Sequence, residues 1–283
     1  MSGRFTGDNV RLVYDILSYA KVKNKEGILL LIDFEKAFDS ISWSFLHNTL
    51  KYFNFGEDLR SWIHVFLKDI KSRVFINGQP SAWFNINRGC RQGDPISPYL
   101  FLICCEVLAH MIRQNDKIKG FYFGNEEVKL GQFADDTNLI LDGSKESFHY
   151  CIKTILEYAK YSGLNMNSEK TKVIRFGKSL NNNKFEFEGM NFEWDPDTFR
   201  ILGIEFTVSL KDITDINIKN NLDVIRSSII HWSNRNLTPL GRVTVIKSIL
   251  ISKIVHILTS LPNPSKAMIK HLHTMFFNFF IEK

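Results

Sequence analysis

The run Ile28–Ile32, with the sequence ILLLI, is the feature that most limits how this chain can fold. It is too short for a helix with one buried face, and it lacks the polar alternation of a half-exposed strand. It therefore predicts a strand that is buried on both sides within a covered sheet. This strand delivers Asp33 to its carboxyl end.

A second pair of carboxylates lies at a predicted hairpin bend. Val128–Phe133 and Thr137–Leu141 are strand-like and flank Ala134-Asp135-Asp136. Aspartate is common both after strands and in turns, where it is simply solvated. Asp33 alone, or the Asp-Asp pair alone, is therefore also explained by turn chemistry.

Other segments predict helices and turns. Ser97 followed by Pro98 predicts an N-cap and first turn, and Asn77-Gly78 predicts a hairpin whose second strand ends near Arg88. The segment SLNNNKFEFEG after Phe176 is predicted to be a loop or hairpin. Apolar spacing and capping residues predict helices at Asn9–Ala20, Leu59–Ile70, from Ser97 to about Met111, Lys145–Ser162 closed by Gly163, and a last long helix opened by Thr238-Pro239.

The order of these elements indicates an α+β fold, with a palm-like body followed by a helical appendage. Ile201–Ile204 is predicted to be a short strand near the end of the body. With 283 residues and 44% hydrophobic content, the chain can bury a sizeable core as one domain or two packed subdomains. A composition shift between Gly177 and Lys211 favours domains at 1–205 and 206–283.

Charge and cysteine usage narrow the class of protein. The formal net charge of +6 suits a phosphate-rich partner, although an ordinary basic protein has the same balance. The four cysteines show no paired spacing suitable for zinc and are predicted to be reduced and mostly buried. No run approaches the ~18 apolar residues of a membrane span, and the N-terminus lacks the apolar stretch of a secretion signal. We expect an intracellular protein without a membrane partner.

Five strings stand in an order that is informative when they are read together. They resemble successive palm motifs of reverse transcriptases in order and spacing, and WSNRNLTPLGRVTVIKSILISK (Trp232–Lys253) resembles the thumb of the non-LTR, LINE-like retrotransposon enzymes. RFTGDNVRLVYDIL (Arg4–Leu17) is similar to the segment before the first motif. The five strings are LLIDFEKAFDS (Leu30–Ser40), RGCRQGDPISPYLF (Arg88–Phe101), FADDTNLIL (Phe133–Leu141), GLNMNSEKTK (Gly163–Lys172) and ILGIEF (Ile201–Phe206).

The resemblance implies a right-hand polymerase fold, with a palm whose antiparallel sheet packs on helices, partial fingers and a C-terminal helical thumb. It also implies a metal site. Asp33 and Asp135 would be the bridging carboxylates and Asp136 the third acidic residue. Phe34 would contribute its backbone carbonyl to one ion. The implied cofactor is a pair of Mg²⁺ ions, with Mn²⁺ as a substitute, because nucleotidyl transfer uses two divalent ions held by carboxylate oxygens.

The resemblance also implies nucleotide-binding residues. Phe38 matches the aromatic gate that fills the space of a ribose 2′-hydroxyl, and Arg91, Gln92 and Gly93 match the loop against the incoming nucleotide and template base. Lys170 matches a lysine near the leaving pyrophosphate, where it would act as general acid or neutralise charge. An exposed lysine in a polar loop is the other interpretation of Lys170.

Primer and template contacts are implied further along the chain. Leu202-Gly203 matches the hairpin that grips the primer end. Four basic residues of the tail are candidates for backbone-phosphate contacts, although solvated helix positions explain each of them equally well. They are Arg235, Arg242, Lys247 and Lys253.

Two departures from the family pattern affect expectations. Phe133 replaces the usual tyrosine before Ala-Asp-Asp, which keeps the ring and loses a hydroxyl. The upstream fingers residues that bind triphosphate, an endonuclease and a zinc-knuckle segment are not matched, so we expect a chain cut short at both ends with weak polymerase activity.

The sequence thus predicts the RNA-directed DNA polymerase core of a retrotransposon, acting on an RNA template, a DNA primer and deoxynucleoside triphosphates. Nuclear action is implied only by the resemblance. One alternative is a catalytically silent nucleic-acid-binding relic of a transposon. The other, an RNA-dependent RNA polymerase, is disfavoured because Phe38 would obstruct a ribonucleotide.

Overall fold

The computed structural model describes residues 5–134, 136–177, 184–207 and 209–281. The chain divides into two compact units. The larger unit is Lys23–Asp195, and the other combines Met1–Val22 with Pro196–Lys283. Helices and strands are mixed along the chain, so the predicted α+β class is confirmed.

A five-stranded sheet forms the framework of the larger unit. Its order is β11-β10-β1-β9-β8, and β1 is antiparallel to both of its neighbours. The edge pair β10–β11 is parallel, so the predicted antiparallel sheet is in fact mixed at one edge. The five strands are β1 (Gly27–Ile32), β8 (Leu130–Phe133), β9 (Asp136–Leu141), β10 (Lys172–Phe176) and β11 (Glu193–Trp194).

The predicted buried strand is confirmed as β1. Ile28, Leu29 and Leu30 are at most 1% exposed because the strand is central in the sheet and covered by helices. Ile28 and Leu30 join one hydrophobic core with residues of the helices. The helices of this unit are α2 (Ala37–Ser40), α3 (Trp43–Tyr52), α4 (Glu57–Leu67), α5 (Ser97–Gln114) and α6 (Lys145–Ser162).

The helix predictions agree with the structure where the residues next to the helix cap its ends. α6 begins after Ser144, whose hydroxyl accepts a hydrogen bond from the Ser147 N–H, and ends at Gly163 with φ of 80°. Ser97 is not the predicted N-cap of α5: it is the first helical residue, and Ile96 precedes it. The Asp94 carboxylate accepts from the Ile96 N–H, which replaces the hydroxyl cap.

Between α4 and α5 the chain forms a two-tiered hairpin. Strands β2 (Lys71–Ser72) and β5 (Phe84–Asn85) pair at its base, and β3 (Phe75–Ile76) pairs with β4 (Gln79–Pro80) at its tip. The tip turn is Asn77-Gly78, with φ of 51° and 80°, as the sequence predicts. The other predicted strand, Val128–Phe133, is divided between β7 and β8, and the short pair is β6 (Phe121–Phe123) with β7 (Glu126–Val128).

The other unit consists of a hairpin and helices. Its hairpin is β12 (Thr198–Ile201) with β13 (Ile204–Thr207), so Leu202-Gly203 is a turn and the predicted strand Ile201–Ile204 is wrong. The predicted last long helix is interrupted by a π-helical segment, Ile246–Leu250. The helices are α1 (Thr6–Lys23), α7 (Ile213–Ser233), α8 (Pro239–Val245), α9 (Ser252–Ser260) and α10 (Lys266–Ile281).

These compact units differ from the predicted domain ranges, because α1 and the β12–β13 hairpin group with the C-terminal helices. The functional division at 205/206 stays a prediction. Most of the predicted loop after Phe176, residues 178–183, lies outside the described residues. Within the described ranges no single helix is long and apolar enough to cross a membrane; only the bent pair Pro239–Leu250 and Ser252–Ser260, taken together, meets that criterion.

Candidate active site

The register of the central strands brings two of the predicted carboxylates together. β1 and β9 are paired from Ile28 opposite Leu141 to Ile32 opposite Thr137. One step further along this antiparallel ladder, Asp33 faces Asp136. Residues opposite one another in such a ladder carry their side chains on the same face, within about 5.5 Å between Cβ atoms. Both aspartates are exposed, at the edge where the strands leave the core.

The bend between β8 and β9 carries the remaining predicted carboxylate. Phe133 pairs with Asp136, and Ala134 has a φ of 54°, so the chain reverses within two residues. Asp135, the predicted second bridging ligand, lies outside the described residues. Among those that are described, no three His, Cys, Asp or Glu side chains converge to hold a metal ion.

Phe34 fits its predicted role through its main chain. Its ring is buried, and the residue forms an isolated antiparallel bridge with Met166. The bonds of this bridge run from the Asn167 N–H to the Asp33 carbonyl and from the Glu35 N–H to the Asn165 carbonyl. No group in the described ranges donates to the Phe34 carbonyl, which leaves a hard oxygen ligand beside Asp33.

A polar turn after α6, from Asn167 to Thr171, is hydrogen-bonded to the backbone of Asp33. The Asn167 carbonyl accepts from both the N–H and the hydroxyl of Thr171, and its side chain accepts from the Lys170 N–H. The Thr171 hydroxyl is within 3.4 Å of the Asp33 N–H, and Thr171 is fully buried. The turn thus brings the exposed Lys170 into the neighbourhood of Asp33. Asn167 and Thr171 were not predicted, although the run NSEKT carries the polar side chains that form such turns.

Phe38, the predicted gate, is fixed by ring stacking and by its carbonyl. Its ring lies 4.3 Å from that of Phe101 on α5, with an angle of 15° between planes. Phe101 is fully buried, whereas Phe38 is only partly covered. The Phe38 carbonyl accepts from the Cys90 N–H at 2.6 Å. Phe38 is therefore hydrogen-bonded to the segment that leads into Arg91, Gln92 and Gly93.

This loop is anchored at its start and open at its end. The Gly89 N–H donates to the Ile41 carbonyl, and the Trp43 indole N–H donates to the Gly89 carbonyl. Gly89 has a φ of 88°, and a Cβ there would lie 2.8 Å from Asp39 backbone atoms, so the close approach requires glycine. Arg91, Gln92 and Gly93 are all exposed, and Arg91 forms an ion pair with Asp94 at 3.2 Å.

Cys90 lies inside this anchored segment and is a packing residue. Burial, followed by the negative charge of Asp94, raises the pKa of its thiol to about 11. A thiol with this pKa is protonated at neutral pH and is a poor nucleophile. All four cysteines are reduced and buried, as predicted.

The loop borders an open cleft of about 790 Å³. Lys71, Arg88 and Arg91 contribute basic groups to its lining, and Asp39 contributes an acidic one. The cleft runs from the base of the hairpin to Gln92. Its shape and charge suit an extended anionic ligand better than a small apolar molecule.

In the other unit, the predicted primer-contacting turn is held by two helices. The Asn217 side chain accepts from the Glu205 N–H and donates to the Glu205 carbonyl, both at 2.8 Å. The Leu202 carbonyl lies 2.9 Å from the His256 Nε2 atom. Leu202 and Gly203 have φ of 48° and 84°, which gives a tight turn with no neighbour within 4 Å of a Cβ at Gly203.

The four predicted phosphate-contacting residues differ in accessibility. Arg235 is exposed, with its guanidinium 4.6 Å from the Trp232 ring centroid, and Lys247 is also exposed. Lys253 is partly exposed. Arg242 is 6% exposed and donates to the Phe279 carbonyl at 2.6 Å. It is a packing residue of this unit, which argues against the predicted phosphate contact.

A solved structure and a protein-family model both resemble this chain. Apo telomerase from Candida tropicalis superposes with a TM-score of 0.54 and 14% sequence identity, over 98% of this chain and 46% of that one. The fold is accordingly that of a polymerase palm and thumb, as predicted. The family model for reverse transcriptase (RNA-dependent DNA polymerase) matches residues 3–206. The chain belongs to the reverse transcriptase family.

The similar proteins include products of transposable elements. The Pol polyprotein of the type-1 retrotransposable element R2 of Nasonia vitripennis is 24% identical over 88% of this chain. The transposon TX1 149 kDa protein of Xenopus laevis is 24% identical over 98% of it. The chain spans 24% and 21% of the length of these two relatives. The predicted resemblance to non-LTR enzymes is confirmed.

Proposed function

We propose that this chain is the RNA-directed DNA polymerase core of a retrotransposon protein. It would join the α-phosphate of a deoxynucleoside triphosphate to the 3′-hydroxyl of a DNA primer on an RNA template, releasing pyrophosphate. The observation that carries the proposal is the strand register, which places Asp33 opposite Asp136 one step beyond the Ile32–Thr137 pair. Membership of the reverse transcriptase family supports it.

Reverse transcriptases generally use divalent metal ions, and the residues of this site suit them. Asp33, Asp136 and the Phe34 carbonyl offer hard oxygen ligands at one sheet edge, and Asp135 adds a carboxylate by sequence. Two bound Mg²⁺ ions would supply the Lewis acidity and positive charge that nucleotidyl transfer requires. Thr171 and Asn167 hold the Asp33 backbone, so the carboxylate is presented in a fixed position.

The other residues at this edge would select and orient the nucleotide. The Phe38 ring, stacked on Phe101, would occupy the volume that a ribose 2′-hydroxyl needs. The exposed Arg91–Gly93 loop would lie along the nucleotide and the template base. Lys170, an exposed cation near Asp33, would neutralise charge on the departing pyrophosphate or donate a proton to it.

Nucleic-acid backbone contacts would come from the C-terminal helices. Arg235, Lys247 and Lys253 are the accessible cations among the predicted set. Such contacts are independent of sequence and weaken as salt rises. The Leu202-Gly203 turn, held by Asn217 and His256, would support the primer end.

Primer extension tests the proposal directly. The chain would be incubated with an RNA template, a labelled DNA primer and one deoxynucleotide, with Mg²⁺ and separately with Mn²⁺. We expect Asp33→Asn to abolish extension while the affinity for the RNA–DNA hybrid changes less than about twofold, because binding rests on basic contacts. Glu35→Gln is the control, since it removes an exposed carboxylate two residues away.

Extension that survives in Asp33→Asn would contradict the assignment of this residue. Hybrid binding without any extension by the parent chain would instead support a silent nucleic-acid-binding relic. Loss of activity in both Asp33→Asn and Glu35→Gln would mean that general charge, and not a specific ligand, is responsible.

A further inference from the structure

The hairpin Lys71–Asn85, which we call the aromatic hairpin, exposes an unusual amount of apolar surface. Phe75 and Trp83 are each 60% exposed, and Val74, Ile76 and Phe84 are also exposed. Apolar patches of this size on a folded protein mark interaction sites. Phe75 and Trp83 do not line the cleft described above, so their exposure is not explained by the nucleotide site.

An arginine lies between the two exposed rings. The Arg73 guanidinium carbon is 4.8 Å from the Phe75 ring centroid and 4.7 Å from that of Trp83. Within the described ranges Arg73 has no ion pair and no hydrogen bond. Its charge is therefore available to an anionic ligand that also contacts the rings.

The surrounding segment is strongly basic. Residues 68–92 contain five basic side chains and one acidic side chain, a formal charge of +4, compared with +6 for the whole chain. The basic residues are Lys68, Lys71, Arg73, Arg88 and Arg91, and the acidic one is Asp69.

The aromatic hairpin is continuous with the predicted nucleotide-binding loop. Lys71, Ser72 and Phe84 line the same cleft as Arg88, Arg91 and Gln92. A ligand strand that leaves the Arg91–Gly93 loop along this cleft would pass Arg88 and Lys71 and reach the aromatic hairpin. The basic groups that line the cleft thus lead to the exposed aromatic rings of the hairpin.

We infer that the aromatic hairpin is a stacking platform for the unpaired RNA template on its way to the active site, which rests on the proposed function. Unpaired bases stack on exposed aromatic rings whatever their sequence, and an adjacent arginine contacts the phosphate or stacks on a base. Phe75 and Trp83 would take bases, and Arg73, Lys71 and Arg88 would take phosphates. Arginine beside aromatic rings also occurs in protein interfaces, but the lysines of the same segment, Lys68 and Lys71, and its charge of +4 favour a phosphate-rich ligand, because lysine is depleted in the cores of protein interfaces.

A second exposed aromatic pair in the same unit provides a matched control. Trp62 is 61% and Phe66 48% exposed, with ring centroids 6.2 Å apart on α4. Glu57 and Asp58 precede them in the first turn, and the described cation–π contacts do not include these rings. Residues 57–68 carry two acidic and two basic side chains, Glu57, Asp58, Arg60 and Lys68, so these rings are exposed without the net positive charge of the aromatic hairpin's segment.

The first test measures binding of a 12-nucleotide single-stranded RNA of mixed sequence by fluorescence anisotropy. Phe75→Ala and Trp83→Ala should each weaken binding roughly fivefold to tenfold, the lower range for base–aromatic stacking. The double variant Trp62→Ala/Phe66→Ala should bind this RNA as tightly as the parent does. A blunt RNA–DNA hybrid, used as a second probe, should bind equally to the parent and to all variants. Circular dichroism confirms that each variant is folded.

The salt dependence of RNA binding distinguishes the contribution of the aromatic rings from that of Arg73. Arg73→Ala should reduce the slope of log affinity against log salt by about 0.7, the value for one phosphate on a single strand. Phe75→Ala should weaken binding without changing this slope, and Arg73→Lys should keep the slope and bind more weakly than the parent.

Primer extension then tests whether the single strand that the aromatic hairpin binds is the template. Templates with a one-nucleotide overhang should be extended equally by the parent and the Phe75→Ala/Trp83→Ala variant, whereas a ten-nucleotide overhang should favour the parent. No single-stranded RNA binding by the parent, or equal losses in the aromatic-hairpin and α4 variants, would overturn the platform. RNA binding is measured without catalysis. The binding test can therefore contradict the stacking platform without contradicting the polymerase activity, and the reverse also holds.

Discussion

Gly89 and Gly93 stand at the two ends of the predicted nucleotide-binding loop and differ in their surroundings. Both have a left-handed backbone, with φ of 88° and 87°. A Cβ at Gly89 would meet the Asp39 backbone at 2.8 Å, whereas a Cβ at Gly93 would meet nothing within 4 Å. Gly89 therefore holds the loop against its neighbour, and Gly93 leaves room for a ligand.

We expect Gly89→Ala to destabilise the larger unit more than Gly93→Ala. A left-handed alanine costs about 1–2 kcal/mol at either position. At Gly89 the steric conflict with Asp39 adds to this cost, because backbone atoms cannot rotate away. Urea unfolding of both variants measures the difference, and equal midpoints would contradict the close approach.

The Phe38 ring should control the choice of sugar. Phe38→Val removes the ring that stacks on Phe101 and should raise ribonucleotide incorporation by at least tenfold, an effect of about 1.4 kcal/mol on discrimination. Phe38→Tyr keeps the ring and is the control. Competition between one ribonucleotide and its deoxy counterpart measures the ratio. If the valine variant discriminates like the parent, Phe38 is a packing residue.

At the residue scale, the sequence indicates candidate functional residues more readily than the residues that hold them in place. The palm strings single out Asp33 and Phe38 as candidates, because each belongs to a short motif, and their roles stay predictions. Asn167 and Thr171 were missed, since their hydrogen bonds to the Asp33 segment join residues more than 130 positions apart. Arg242 was misjudged because a basic residue on a helix gives no sign that its guanidinium is buried.

At the scale of elements, the predictions depended on how local the determining contacts are. The ILLLI run and the α6 caps act within a few residues, so β1 and α6 were predicted closely. Ser97 and Ile201–Ile204 were misassigned for a different reason. A backbone N–H near Ser97 is already satisfied by Asp94, and two residues at Leu202-Gly203 adopt positive φ.

The β12–β13 hairpin depends on one amide side chain. Asn217 makes three hydrogen bonds, to the Glu205 N–H, the Glu205 carbonyl and the Ile213 carbonyl. Asn217→Ala would leave partly buried backbone groups of Glu205 without this partner and should destabilise this unit by about 1–3 kcal/mol. Asn221→Ala, one turn further along α7, removes a single bond to the Asn217 carbonyl and is the control.

Hydrogen exchange at residues 198–207 would show the effect locally. Faster exchange in Asn217→Ala than in Asn221→Ala is the expected result. Equal exchange in both variants would mean that the hairpin is held by its apolar residues, such as Phe199 and Phe206, whose rings stack at 5.3 Å.

At the scale of the whole molecule, sheet order could not be derived from the residues. β1, β9 and β10 are adjacent in the sheet although more than 100 residues separate β1 from β9. The element order predicted a palm-like body, but it does not say which strands are neighbours in the sheet. The same limit explains why α1 was not assigned to the unit of the C-terminal helices.

Buried thiols give the larger unit a dependence on alkaline pH. Burial raises the pKa of Cys151 from 9.0 to about 12, and burial with the Asp94 charge raises that of Cys90 to about 11. A raised folded-state pKa means that the unfolded chain loses its thiol protons first as pH increases. The contribution to stability is therefore complete below pH 9 and is lost progressively between pH 9 and 12.

The Cys151→Ala variant isolates one of these thiols. At pH 10 the unfolded thiol is about nine-tenths ionised while Cys151 in the folded chain is still protonated, which lowers the free energy of unfolding by about 1.4 kcal/mol. Urea midpoints from far-ultraviolet circular dichroism at pH 7.5, 9 and 10 should fall more steeply in the parent than in the variant, although the variant starts lower because it leaves a small cavity. The difference between the two pH slopes, and not the absolute stability, is the quantity that carries the thiol contribution. Parallel slopes would mean that Cys151 ionises as readily in the folded chain as in the unfolded one, and the assignment of this residue to a water-excluded core would then be wrong.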